Sequence, residues 1–302
     1  MTAPSRSAHR GRLEAVQALL ELHSQRRARS VLDGGYASVF RGRGTDFEDL
    51  REYVPGDAVA DIDWKATARA GKPLVRRYRV ERKNNLGLVV STGRSMTAVA
   101  PDGTPKHELA LDVAGVFAGL AVRHRDVVGA VFGDAHRQQA VRTRAGRAHA
   151  EYVLDRLAAE SGDHSGVVSD LPAVLDHAVK ARLPRGIMVL ITDDAVLTAA
   201  GERSLALLHA RHQVMVFRIA DMPVGADAAT APFDVETGLE LPDEVRLDRA
   251  VVAQAEAEAA RLAQSIERAL AARGIAHGRV TGQAGLVETL IDVLERHRRG
   301  GK

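Results

Sequence analysis

The chain has 302 residues, enough for about two domains or one large domain with an elaboration, and enough to bury a core without a stabilising metal or disulfide. Hydrophobic residues make up 45% and charged residues 27%, close to a soluble globular average. There is no cysteine, which excludes disulfides, thiolate-held zinc or iron–sulfur centres and a cysteine nucleophile; 42 basic residues against 39 acidic give a net charge of +3, too small to imply nucleic acid by itself.

Three regions follow in chain order. Residues 1–30 read as an N-terminal amphipathic helix with a basic end at Arg26, Arg27 and Arg29. Glu14 and Glu21 interrupt its apolar run, so it is not a signal segment, and no stretch reaches the length of a membrane span. Residues 31–84 hold six of the chain's eleven aromatics (Tyr36, Phe40, Phe47, Tyr53, Trp64 and Tyr78) and predict a small strand-and-loop lobe.

Residues 85–302 alternate short apolar runs with helical patterns. The runs at 86–91, 126–132, 186–192 and 213–219 suit strands buried on both faces. Helices are expected over about 106–123, 147–160, 170–181, 201–211, 248–273 and 285–298, with short strands near 136–141 and 275–280. The alternation predicts a doubly wound, mostly parallel α/β sheet. The proline-punctuated stretch 221–246 reads as a loop excursion.

In such a sheet ligands gather beyond the carboxyl ends of the strands. Ser91-Thr92-Gly93-Arg94-Ser95 follows the first run, Thr192-Asp193-Asp194 follows the third, and Ser169-Asp170 opens a helix between them.

The segment from Arg41 to Val90 carries Arg51-Glu52-Tyr53, Pro55-Gly56-Asp57, Ile62-Asp63-Trp64, Ala68-Arg69 and Tyr78 in one order and spacing. It resembles the domain of unknown function 58 family, and the chain beyond it resembles a von Willebrand factor A-type domain. The resemblance implies an A-type α/β fold and a partnership with a MoxR-type AAA+ ATPase. Many family members carry N-terminal membrane helices, and none is expected in this sequence. It also implies a metal site: Asp-x-Ser-x-Ser after the first strand, a threonine in a later loop and an aspartate after the fourth strand. In this chain the leading position is Ser91, followed by Gly93 and Ser95, with Ser169 at the threonine position and Asp193 at the last.

Serine at position 91 removes a full negative charge where magnesium wants a carboxylate. Two readings stay open. Ser95, Ser169 and Asp193 hold magnesium weakly, or the site is degenerate and its hydroxyls cap the loop and the next helix. No other cofactor is implied.

The lobe motif has its own local logic. Pro55-Gly56 suits a type II turn, Asp63 suits a helix N-cap and Gly71 the position past the helix end. Trp64 is expected to pack at the helix base, and Arg51, Asp57 and Asp63 to form a charged network. The candidate interaction set is Arg51, Tyr53, Gly56, Asp57, Asp63, Trp64 and Arg69, either as framework or as a recognition surface. Acid/base catalysis is disfavoured at both aspartate pairs: Asp193 and Asp194 are strand neighbours and face opposite ways, and the same-face pair Asp61/Asp63 is better explained by a helix cap and an ion pair. No P-loop, HExxH or GxSxG pattern occurs. His209 and His212 read as complements to a helix C-terminus.

The expectation is a cytoplasmic, non-enzymatic interaction module, an adaptor or substrate-recognition partner of a MoxR-type ATPase, with no membrane contact. The alternatives are a nucleic-acid binder using the clusters at Arg76–Arg82, Arg137–Arg147 and Arg296–Arg299, or a weak metal-dependent hydrolase using Asp193.

Overall fold

The computed structural model describes residues 13–14, 26–41, 49–56, 59, 62–77, 83–161, 167–194, 199–223, 235–240, 242 and 248–300. The chain divides into two units, one of residues 1–39 and 84–302 and one of residues 40–83.

Helix α1 (Arg26–Arg41) opens the described helices. Residues 31–41 therefore continue a helix and do not begin the strand lobe expected from residue 31. The cause is a buried i,i+4 stripe: Leu32 and Tyr36 are almost fully enclosed, so the aromatic at 36 serves helix packing. The second unit carries β1 (Asp49–Glu52), α2 (Trp64–Ala70) and β2 (Leu74–Arg77), with β1 and β2 antiparallel.

The larger unit continues with β3 (Asn85–Ser91), a 3-10 turn (Arg94–Thr97), α3 (Lys106–Arg123), β4 (Val127–Gly133), β5 (Gln138–Ala145) and α4 (Arg147–Ser161). Then come α5 (Leu171–Ala181), β6 (Ile187–Asp193), α6 (Ala199–Arg211), β7 (Gln213–Ile219), α7 (Arg249–Ala272), β8 (Ala276–Val280) and α8 (Leu286–Gly300). The six strands line up as β5-β4-β3-β6-β7-β8, all parallel except the edge strand β5. The order reverses between β3 and β6, which is the switch point of a doubly wound sheet. This is the doubly wound, mostly parallel α/β architecture that the alternation in the sequence predicts.

Both sheet faces are covered, so the central strands are apolar on both sides. One face packs Val89, Val131, Leu190 and Val216 against α5, α6 and α7. On the other, Phe117 of α3 meets Phe217 of β7 with ring centroids 5.4 Å apart. No helix among the described residues is long and apolar enough to cross a membrane.

Tyr36 and Asn84 flank the second unit in sequence, and both bond one buried carboxylate. The Tyr36 hydroxyl donates to Asp126 at 3.2 Å. The Asn84 backbone N–H and side-chain amide donate to its other oxygen at 2.8 and 3.0 Å. Desolvation raises the Asp126 pKa, against the lowering effect of these donors.

Candidate functional site

The strand-end loops meet beside the switch point. The β3–β6 register pairs Val90 with Ile191, so Ser91 and Asp193 end neighbouring strands at the same end of the sheet. Ser91 and Thr92 are buried, and the Thr92 N–H bonds the Gly133 carbonyl at 2.9 Å. The chain then crosses to the loop before α5. The Arg94 N–H bonds the Val167 carbonyl at 2.8 Å, and the Ser95 N–H donates to Ser169 Oγ at 3.0 Å. The Ser95 and Ser169 hydroxyls are 2.7 Å apart, bonded to each other. Gly93 makes this crossing possible, since a Cβ there would lie 2.5 Å from Ser169 Cα. Asp170 caps α5 by accepting the Ala173 N–H at 2.9 Å.

Asp193 ends β6 almost fully buried, with the Thr192 hydroxyl 3.3 Å from Oδ1. The cation it faces is a lysine. The Lys106 side chain is 0% exposed, and its ammonium lies 3.9 Å from Asp193 Oδ2. It also donates to Asp221, just past β7, whose side chain is 54% exposed. Desolvation raises the Asp221 pKa, with Lys106 pulling it down and Asp193 and Asp194 pushing it up. The backbone holds this arrangement: the Lys106 N–H bonds the Ala98 carbonyl at 2.9 Å, and the Met222 N–H bonds the Val99 carbonyl at 3.0 Å.

Asp194 takes different partners from Asp193, as strand alternation requires. Arg218 Nη1 bonds it at 2.7 Å and Arg279 at 2.6 Å, while Arg218 Nη2 reaches Glu267 at 2.8 Å. Arg218 is fully buried inside an apolar strand, and its Nε has no partner among the described residues. The two aspartates are committed to separate ion pairs.

The expected magnesium meets a poor donor set. Among the described residues no group of three acidic or histidine side chains is placed to hold a metal. Ser95 and Ser169 bond each other, and the Asp193 carboxylate already faces a buried ammonium. Magnesium asks for near-octahedral oxygen ligands with one or two carboxylates, and these residues do not fit it.

The lobe motif builds a turn and a capped helix. Asp63 Oδ1 accepts the Lys65 and Ala66 N–H groups at 3.0 and 2.9 Å. Gly71 takes the left-handed conformation at φ 68° and donates to the Thr67 carbonyl at 2.9 Å. Tyr53 N–H bonds the Pro73 carbonyl at 2.9 Å, Asp63 N–H the Leu74 carbonyl at 2.8 Å, and Gly56 sits at φ 112° in its turn. Trp64 is not packed at the helix base. It is 65% exposed, because the first position of this short helix faces outward. Arg69 is also exposed. Asp57 and the Arg51 side chain lie outside the described residues, so the expected charged network stands on Asp63 alone, and Asp63 serves as a cap.

Sequence reasoning missed Lys106, Asp221 and Arg218. A lysine at the first position of a helix opposes the helix dipole, and an arginine inside an apolar strand breaks its pattern; both are local violations that signal a partner. His212 also departs from expectation. It is buried, and desolvation, aided by Arg211 and Arg185, lowers its pKa to about 4, so it is a neutral ring and no cationic helix complement.

Two relatives share part of this sequence. An uncharacterized protein of Mycobacterium tuberculosis and one of Mycobacterium bovis are each 30% identical over 213 residues, covering 70% of this chain and 66% of theirs. The match thus spans just under two thirds of those relatives. Among solved structures, an aerotolerance-related membrane protein from Bacteroides fragilis aligns with a TM-score of 0.44 at 16% identity, over 70% of this chain and 98% of that one. A von Willebrand factor type A protein from Catenulispora acidiphila aligns with a TM-score of 0.40 at 12% identity, over 75% and 43%. The family model for the protein of unknown function DUF58 matches residues 49–238, which takes in the lobe motif, the Ser91 loop, Ser169, Asp193 and Asp221. That span is well over half of the 302 residues, and the chain belongs to the DUF58 family.

Proposed function

We propose that this chain is a non-enzymatic protein-interaction module, an adaptor or substrate-recognition partner of a MoxR-type AAA+ ATPase, acting in the cytoplasm. The observation that carries the reading is the family match, which runs unbroken through the lobe motif and the strand-end loops. The chemistry of those loops favours binding over catalysis. Ser95, Ser169, Asp193 and Asp194 are each engaged with a partner inside the fold, leaving no poised acid/base pair. In the lobe, Trp64 offers an exposed indole on a capped helix, and exposed Val54 and Val59 accompany it in sequence. Tryptophan is the residue type most often found carrying interface energy.

The test is binding of the purified chain to a purified MoxR-type ATPase from the same organism, measured by calorimetry. The expected result is saturable binding that Trp64→Ala weakens about tenfold or more while the unfolding midpoint stays unchanged. Failure to bind under any nucleotide condition contradicts the partner. Binding to nucleic acid with a steep salt dependence points to the arginine clusters instead.

A further inference from the structure

We propose that the Lys106 ammonium is the resident cation of the strand-end site, standing where a divalent metal would be needed and making the site independent of one.

Four observations converge. Lys106 is 0% exposed, and lysine is almost never fully buried unless paired. It occupies the first position of α3, where a cation opposes the helix dipole, so local helix energetics do not explain it. Its ammonium is shared between Asp193 and Asp221, carboxylates from the ends of two adjacent parallel strands. The hydroxyls of Ser95 and Ser169 bond each other at 2.7 Å, and the Ser169 oxygen also accepts the Ser95 N–H.

Charge points the same way. An aspartate at position 91 together with Asp193 would neutralise a divalent ion. Serine at 91 removes one of those charges, and the single Lys106 ammonium stands against Asp193 and Asp221 together. A divalent ion placed at Asp193 would add two positive charges next to the ammonium in a site shielded from water, where repulsion is poorly screened. The serine at 91 in place of a carboxylate and the buried Lys106 ammonium act as a matched pair. Nothing in this argument depends on which partner the chain meets.

The test uses the isolated chain, so its outcome is separate from that of the ATPase reading. Manganese is titrated into the isotope-labelled wild-type chain, and paramagnetic broadening is followed at Thr192, Asp193 and Ser95. No broadening confined to these residues is expected, and the unfolding midpoint is the same in magnesium and in EDTA. Selective broadening there, with a midpoint raised by magnesium, overturns the proposal without any variant having to fold. Lys106→Ala removes the ammonium and opens space beside Asp193 and Asp221. It should have a lower midpoint that manganese raises by several degrees, and Asp193→Asn in the same chain should abolish that response. A folded Lys106→Ala chain indifferent to manganese counts against the proposal. If Lys106→Ala does not fold, the wild-type titration alone decides.

Discussion

A lysine at the first position of a helix sets its charge against the helix dipole, and Lys106 is held there by two carboxylates that lie far along the chain. Nothing within a few residues of Lys106 announces Asp193 or Asp221, which explains why the serines and Asp193, marked by strand ends and by the family resemblance, were legible and the lysine was not. His212 makes a related point at the opposite end of β7. Its ring is buried and neutral, with a pKa near 4 against about 6.5 in an unfolded chain. The unfolded chain takes up a proton below about pH 6.5 that the fold refuses. The stability due to the neutral ring is therefore fully present above that pH and falls as pH drops toward 4, by on the order of 3 kcal/mol. His297, also lowered by burial and by His209, works in the same direction. Denaturant midpoints at pH 7, 6 and 5 should fall steadily for the wild type and less for His212→Phe. An equal slope in both chains would exclude His212 as the source.

At the scale of elements, the central strands were legible because burial on both faces leaves continuous apolar runs, and β3, β4, β6 and β7 lie where those runs do. The α2 ends were legible for a different reason: Asp63 and Gly71 are the residue types that capping demands, and both cap as expected. Asp63→Ala should cost about 1 kcal/mol in local stability of the lobe, read as faster amide exchange at Lys65 and Ala66, while exchange in β3 and β6 stays unchanged. Loss of protection throughout the sheet would show that the lobe and the sheet unfold together. The stretch 31–41 was misread because its aromatics and paired glycines look like loop chemistry. The i,i+4 placement of Leu32 and Tyr36 decides otherwise, since it gives α1 a buried stripe. Trp64 was misread for the converse reason. An aromatic is usually taken for core, yet a helix of seven residues has little face to bury, and its buried side chains number none. An exposed indole with no role in packing is what makes Trp64→Ala informative as a binding variant.

At the scale of the molecule, a doubly wound sheet gathers its loops at one end, and this chain fills that end with internal pairs: serine to serine, lysine to two aspartates, two arginines to a third. The family match joins that end to the lobe motif in one continuous span. The alternation of apolar runs and helices carried the fold and the family resemblance pointed to Asp193; neither pointed to the lysine. The central claim is that the molecule works by holding a protein partner. The most direct measurement is affinity capture of the tagged, full chain from its native host, followed by identification of what it retains at stoichiometric levels. The account predicts a MoxR-type AAA+ ATPase retained at moderate salt and lost on Trp64→Ala. Nucleic acid in its place, or capture with no AAA+ ATPase among the retained proteins, would contradict it.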